Sequence, residues 1–110
     1  MGITFYQELR LHVEPEVYKP DEDTFLLADN LEVGKDEEVL EIGTGSGLLS
    51  ILSAREGATV VATDITDKAL KCAKENAERE KVRDRIDFRK GNMFEPIKDQ
   101  KFDLIIFNPP

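Results

Sequence analysis

The chain has 110 residues, enough for about one domain, and its formal net charge is −8. Residues 1–41 hold twelve acidic and three basic side chains, a balance that repels phosphates and disfavours nucleic acid as a partner. No apolar run approaches the ~20 residues of a membrane span and no signal peptide is visible, while the single cysteine, Cys72, excludes an internal disulfide and fits a cytoplasmic location.

The first third of the chain predicts a small extension ahead of the main domain. Residues 3–13 alternate loosely and predict an irregular strand or short hairpin. Asp23 is expected to cap a helix from about Thr24 to Leu31, and Gly34 to end it. The apolar side of this helix would consist of Phe25, Leu26, Leu27 and Leu31. We therefore divide the chain into an extension, residues 1–34, and the first part of a ligand-binding domain, residues 35–110.

From residue 38 onward, short apolar strands alternate with helices. The predicted strands are 38–42, 59–63, 86–89 and 102–107, and the predicted helices are 48–55 and 67 to about 81. The second helix carries an apolar stripe made of Ala69, Leu70, Ala73 and Ala77. This alternation predicts an α/β fold whose parallel strands, joined by right-handed crossovers, lie in the order 3-2-1-4. Ligands bind at the carboxyl ends of such strands, between strands 1 and 4.

A glycine-rich loop follows the first of these strands. The segment Glu41-Ile-Gly-Thr-Gly-Ser-Gly47 places glycines at 43, 45 and 47, whereas a dinucleotide fingerprint requires a glycine at position 48, which is leucine. Glu41 stands where a carboxylate could pair with an ammonium group. The loop therefore favours a ligand with an amino-acid end over a pyrophosphate, and the alternative is a strand–helix turn without a ligand.

Two further strand ends carry polar side chains. Asp64 follows the second strand, where a carboxylate can accept hydrogen bonds from two ribose hydroxyls. Its alternative role is to cap the next helix, which we assign to Asp67. Asn92 and Met93 follow the third strand, where an amide can reach an adenine edge while Met93 or Phe94 lies along the ring. An ordinary loop is the alternative there.

The chain ends on Asn108-Pro109-Pro110, directly after an apolar strand. The Asn108 side-chain oxygen and the Pro109 carbonyl are two acceptors that a stiff Pro-Pro backbone would hold in fixed positions. Together they could grip a planar –NH2 group, and a strand-ending turn is the alternative. No His/Cys cluster indicates a metal site.

Taken together, these motifs resemble the S-adenosylmethionine-dependent N-methyltransferases, and among them the HemK-type glutamine methyltransferases. The segment Val17-Tyr-Lys-Pro-Asp-Glu-Asp-Thr-Phe-Leu-Leu27 is similar to the entry segment of the archaeal and eukaryotic release-factor branch. The resemblance covers residues 13–110. It implies a Rossmann-like class I fold, S-adenosylmethionine as cofactor, and methyl transfer to a glutamine amide of a release factor, with a small zinc-binding activator subunit as a possible partner. Methylation of an exocyclic amine of adenine or guanine uses the same Asn-Pro-Pro motif and stays an alternative.

The resemblance also implies a role for each matching residue. Asn108, Pro109 and Pro110 would bind the acceptor amide. The cofactor would be held by Tyr18, Thr24, Glu41, Gly43, Thr44, Gly45, Gly47, Asp64, Ile65, Asn92 and Met93.

The chain departs from the family pattern at two places. Asn92 replaces the aspartate that is usual in relatives, and the sequence ends one residue before the aromatic residue that follows Asn-Pro-Pro. We therefore expect the 110-residue polypeptide to be inactive by itself. A fragment that binds the cofactor without turnover is the alternative from a different functional class.

Overall fold

The structure is a computed structural model that describes residues 2–108. Its N-terminal part is an antiparallel hairpin followed by a short helix, and the remainder is a four-stranded parallel sheet with crossover helices. The strands are β1 (Gly2–Tyr6), β2 (Leu9–Val13), β3 (Glu38–Ile42), β4 (Thr59–Asp64), β5 (Ile86–Lys90) and β6 (Leu104–Phe107). The α-helices are α1 (Glu22–Asp29), α2 (Leu48–Arg55) and α3 (Asp67–Arg79).

The parallel sheet has the strand order β5-β4-β3-β6, which confirms the predicted order 3-2-1-4. Every neighbouring pair in this sheet is parallel. Since β3 lies between β4 and β6, the loop after β3 and the end of β6 meet at the same edge of the sheet. The predicted switch point between the first and fourth strands is therefore present.

The two crossover helices follow their sequence signals closely. The predicted helix 48–55 matches α2, and the four residues of the apolar stripe on α3 are all buried. The predicted start of α3 at Asp67 is confirmed, but its predicted cap and end need correction. Thr66, not Asp67, caps the helix by accepting from the Ala69 N–H, and the helix stops at Arg79 because Lys81 has a positive φ of 62°.

Helix α1 differs most from its prediction. Its cap is Asp21 rather than Asp23, because the Asp21 carboxylate accepts from the Thr24 N–H while the Thr24 hydroxyl accepts from the Asp21 N–H. The helix ends at Asp29 rather than Leu31. The predicted apolar side is wrong as well: the buried residues are Thr24 and Ala28. Of the predicted set, Leu26 is 63% and Leu27 40% exposed, while Phe25 and Leu31 are partly buried against the core.

A buried amide ties the hairpin to the sheet. Asn76 on α3 is fully buried, and its Nδ2 donates to the carbonyls of His12 and Ser46 at 2.9 and 2.8 Å. Its Oδ1 accepts from the His12 N–H at 2.9 Å and from Arg79 Nη1 at 3.0 Å. One side chain thus joins β2, the glycine loop and α3.

The largest apolar cluster of the core contains side chains from both parts of the chain. Leu11 and Val13 of the hairpin belong to it with Leu49 and Ile51 of α2 and Val60 of β4. Within residues 2–108, no helix has the length and apolar character needed to cross a membrane.

Candidate active site

The carboxyl ends of the parallel strands surround a cavity of about 360 Å³. This volume lies within the range of small-molecule sites, about 300–1,000 Å³. The cavity brings together eleven of the predicted site residues: Tyr18, Thr24, Glu41, Gly43, Thr44, Gly45, Asp64, Ile65, Asn92, Met93 and Asn108. Gly47 does not line it, and Pro109 and Pro110 lie outside the described residues.

Two glycines of the loop have different structural tasks. Gly43 has a φ of +77°, and a Cβ built on it would meet nothing within 4 Å, so bare backbone faces open space at the cavity. Gly47 has a φ of +94°, and a Cβ there would lie 3.0 Å from the Cβ of Ala73. The loop therefore uses Gly43 for access to the cavity and Gly47 for close packing of α2 against α3.

The carboxyl group of Glu41 lies beneath the loop. The side chain is 3% exposed, and its Oε1 accepts from the Thr44 hydroxyl at 2.8 Å and from the Ser50 hydroxyl at 2.7 Å. Burial raises the pKa of Glu41 to about 7, although the hydroxyls of Ser50 and Thr44 act in the opposite direction. The site thus contains a carboxyl group that can gain or lose its proton near neutral pH.

Asp64 connects the end of β4 to the glycine loop. Its Oδ2 accepts from the Gly45 N–H at 3.1 Å, and its Oδ1 accepts from the Thr66 N–H at 3.1 Å and the Thr66 hydroxyl at 3.3 Å. A carboxylate has about four lone-pair directions and three are used here, so Oδ2 can still accept from a ligand hydroxyl. Asp64 is half-buried and lines the cavity, which is compatible with the predicted ribose contact.

Asn92 and Met93 form the wall of the cavity after β5. Both side chains are exposed, and Met93 has a φ of 50°. The Asn92 N–H donates to Glu95 Oε1 at 3.1 Å, which holds the turn while the side-chain amide stays available at the cavity. Phe94, the other predicted ring contact, is not part of the cavity wall.

Asn108 is tied to the N-terminal segment across 84 residues of sequence. Its Nδ2 donates to the Thr24 hydroxyl oxygen at 2.7 Å. That hydroxyl in turn donates to Asp21 Oδ1 at 3.2 Å, and the Tyr18 hydroxyl donates to Asp21 Oδ2 at 2.9 Å. Asn108, predicted to bind the acceptor amide, and Thr24, predicted to hold the other ligand, are therefore in direct contact.

Sequence reasoning missed several residues of this site. Ser50 anchors Glu41 and Asp21 anchors Thr24. Cavity residues outside the predicted set include Glu16, Val17, Pro20, Ser46, Thr66 and Phe107. Ser50 has one available signal, since a serine in an otherwise apolar helical turn directly after the loop indicates a buried hydroxyl with a partner. Within residues 2–108, no group of three or more His, Cys, Asp or Glu side chains could hold a metal ion.

The geometry defines what the cavity can bind. Carboxyl groups at the ends of β3 and β4 suit an ammonium group and a diol, and the amide after β5 suits a heterocycle edge. The second amide, at the end of β6, suits a planar nitrogen group. The residues therefore fit a nucleoside that carries an amino-acid end, beside a second, amide-bearing molecule.

Comparisons with known proteins give the following matches. The family model described as Methyltransferase small domain matches residues 8–110. A relative named "Putative protein N5-glutamine methyltransferase", from Methanocaldococcus jannaschii, is 48% identical over 103 residues, which are 93% of this chain and 51% of that relative. The release factor glutamine methyltransferase of Aquifex aeolicus is 40% identical over 104 residues, which are 89% of this chain and 37% of that relative.

A solved structure gives the same fold. The RNA methyltransferase from Salinibacter ruber, in complex with S-adenosyl-L-homocysteine, matches with a TM-score of 0.68 and 25% identity over 83% of this chain and 60% of that one. The predicted Rossmann-like fold class is confirmed by this match and by the strand order. The chain spans about half, or less, of the length of the two curated relatives.

Proposed function

Because this chain belongs to the methyltransferase small domain family, we propose that it methylates a planar amide nitrogen, the glutamine side chain of a translation release factor. The family membership supports the predicted enzyme class, and the neighbour that holds S-adenosyl-L-homocysteine supports the predicted cofactor, S-adenosylmethionine. The names of the two glutamine methyltransferases above support the choice of acceptor.

Different residues around the cavity would contact different parts of the cofactor. Glu41 and the loop from Gly43 to Gly47 would hold its amino-acid end, and Asp64 with Ile65 its ribose. Asn92 and Met93 would meet the adenine. The cofactor supplies an electrophilic methyl group on a sulfonium, and the open space at Gly43 supports a close backbone approach.

The observation that carries the choice of an amide acceptor is the hydrogen bond from Asn108 Nδ2 to Thr24 Oγ1. It turns the Asn108 Oδ1 away from Thr24, so that this oxygen would accept an N–H of the incoming –NH2 group. The predicted second acceptor, the Pro109 carbonyl, stays a prediction.

Orientation is what such a site must provide. An amide nitrogen is a poor nucleophile because its lone pair is delocalised. The bound sulfonium would supply the methyl group and leave as a neutral thioether, and the amide nitrogen would lose one N–H proton to water. Holding the nitrogen in line can contribute roughly 7–11 kcal/mol to lowering the barrier. Asn108 would contribute by holding the amide in position and by accepting a hydrogen bond from its N–H, which becomes more positive as the reaction proceeds.

The first test of this proposal is cofactor binding. Calorimetric titration of the 110-residue chain with S-adenosyl-L-homocysteine should give a single site, and Asp64→Ala should weaken it. No heat and no protection from thermal unfolding would reject the cofactor assignment.

The second test is methyl transfer. Since the chain spans about half of its relatives, we expect the 110-residue polypeptide to bind the cofactor without turnover. A chimera that continues after residue 110 with the C-terminal half of the Methanocaldococcus relative should transfer labelled methyl groups to release factor. The same chimera with Asn108→Ala is the control. Transfer by the 110-residue polypeptide alone would contradict its expected inactivity.

An RNA or DNA base amine is the second candidate acceptor. It is favoured by the match to an RNA methyltransferase and by the use of the same Asn-Pro-Pro motif. The acidic balance of residues 1–41 argues against it, because it repels phosphates. Offering release factor and total RNA to the chimera side by side separates the two, and label on RNA alone would replace our choice.

The remaining predictions about partners and location belong to this proposal. A cytoplasmic location is expected from the single cysteine, and a small zinc-binding activator subunit from the family resemblance. Co-purification of the chain with a zinc-containing protein of low mass would support the second of these expectations, and zinc analysis of the complex measures it directly.

A further inference from the structure

The hydrogen bonds around the Thr24 hydroxyl determine the orientation of the groups that make them. Three polar groups surround the Thr24 hydroxyl: Asp21 Oδ1 at 3.2 Å, the Asp21 N–H at 3.3 Å and Asn108 Nδ2 at 2.7 Å. A hydroxyl has one hydrogen and two lone pairs, so these three partners use its full capacity. Whether each partner can donate or only accept a hydrogen bond therefore decides the direction of each bond.

The Asp21 carboxylate decides the direction. Hydrogen bonds from the Thr24 N–H and the Tyr18 hydroxyl hold the pKa of Asp21 below its usual range, so the group is ionised and can only accept. The single Thr24 hydrogen must then go to Asp21. The Asp21 N–H takes one lone pair, and the last lone pair requires a donor, which on an asparagine side chain is Nδ2.

We infer that Asp21, acting through the Thr24 hydroxyl, is a positioning residue that fixes which way round the Asn108 amide points. This inference rests on the proposed function, because orientation matters only if Asn108 receives an –NH2 group. With Nδ2 on Thr24, Oδ1 faces the acceptor nitrogen. A reversed amide would place its own –NH2 against the –NH2 of the substrate, donor against donor.

The orientation can be measured without any methyl transfer. In 15N-labelled protein, the Asn108 side-chain resonance is assigned by its loss in Asn108→Asp. Its Nδ2 protons should show a nuclear Overhauser contact to the Thr24 methyl group and exchange with water roughly five- to tenfold more slowly than in Thr24→Val, as expected for one net hydrogen bond. Thr24→Ser keeps the hydroxyl and should restore slow exchange.

A second variant separates orientation from folding. Asp21→Gly removes the carboxylate, while glycine is well tolerated at a helix N-cap. The Thr24 hydrogen is then released, so Asn108 should sample both orientations and its contact to Thr24 should weaken. Far-ultraviolet circular dichroism checks that α1 persists in each variant.

The chimera described above adds a kinetic readout. Thr24→Val and Asp21→Gly should lower kcat about five- to tenfold. Asp21 does not line the cavity, so in Asp21→Gly the dissociation constant for S-adenosyl-L-homocysteine should stay within about threefold, because the lost bond orients Asn108 rather than the cofactor. Thr24→Ser should recover kcat.

The outcomes distinguish the two proposals. A fast-exchanging Asn108 amide in the unchanged protein, or identical exchange in Thr24→Val, overturns the positioning role even if methyl transfer is found. A chimera that transfers no methyl group while the amide shows the expected protection rejects the proposed function and leaves the orientation intact. Loss of cofactor affinity without loss of kcat would assign Thr24 to the cofactor instead.

Discussion

The buried carboxyl group of Glu41 should give the stability of this protein an unusual dependence on pH. Its pKa is raised by burial from 4.5 to about 7. Between these values the folded protein keeps a proton that the unfolded chain has lost. The free energy of unfolding therefore falls as pH rises from about 4.5, and the contribution of the proton is lost once pH passes about 7.

The size of the effect follows from the difference between the two pKa values. At 1.36 kcal/mol for each pKa unit, the rise of Glu41 from 4.5 to about 7 corresponds to about 3 kcal/mol in all. Roughly 2 kcal/mol of this falls between pH 5.5 and 8.5, a range that stays above the isoelectric point of about 4.7.

Glu41→Gln isolates this contribution. The glutamine oxygen can still accept from Thr44 and Ser50, but the side chain has no proton to lose. Urea unfolding followed by circular dichroism from pH 5.5 to 8.5 should show the variant gaining about 2 kcal/mol relative to the unchanged protein as pH rises. Glu38→Gln, at the exposed start of the same strand, is the matched control for loss of one acidic side chain.

One result would refute the reasoning. If the stability difference between Glu41→Gln and the unchanged protein is the same at every pH, the buried carboxyl is ionised throughout the range. Burial would then not be the dominant influence on its pKa, and the hydroxyls of Ser50 and Thr44 would outweigh it.

Three further predictions concern the cavity. Binding of S-adenosyl-L-homocysteine at pH 6 should release up to one proton, because an ammonium group near Glu41 favours the ionised form of its carboxyl group. Calorimetry in two buffers of different ionisation enthalpy measures the number of protons released. Glu41→Gln should abolish the proton release. Gly43→Ala should weaken cofactor binding at least tenfold and lower the free energy of unfolding by about 1 kcal/mol. Gly47→Ala should lower the free energy of unfolding more, because its Cβ would press against Ala73. Equal losses in urea unfolding would contradict the separate roles of the two glycines. Asn92→Asp should bind S-adenosyl-L-homocysteine about fivefold more tightly if it meets an amino group of the adenine, and unchanged affinity would remove it from the contact.

The arrangement of the sheet could be predicted because each step depends on local pattern. β-branched and apolar runs mark the strands, α2 lies between Gly47 and Gly57, and the right-handed crossover rule then leaves little choice of strand order. The carboxyl ends of the strands follow from the order, so the positions of Asp64 and Asn108 at one edge were also predictable.

The start of α1 could not be predicted in the same way. Asp21 and Asp23 are both good capping residues, and capping preference alone does not decide between them. Thr24 decides it, because as the third residue after Asp21 it can return a hydrogen bond to the Asp21 N–H. The exposure of Leu26 and Leu27 has a related cause, since the buried side of this short helix is the one that carries Thr24 and Ala28.

Contacts between distant segments could not be predicted from local sequence patterns. The bond between Thr24 and Asn108 joins residues 84 apart, and each residue was predicted for a different part of the site. Likewise, Glu41 was expected to face a ligand, but nothing in the sequence indicated that two hydroxyls would cover the same oxygen, Oε1. These contacts depend on the packing of α1 against α2 and of α2 against the sheet.

The buried Asn76 amide has a consequence for how this molecule opens. Removing the hairpin would leave polar atoms of Asn76 without partners in the core, so β2 and the loop at Ser46 should open together in one cooperative event. The His12 N–H does not touch the cavity, yet its exchange with deuterium should slow when a ligand occupies the loop. Hydrogen exchange at the hairpin backbone would then detect ligand binding in the cavity through the hydrogen bonds of Asn76, without any contact between the hairpin and the ligand.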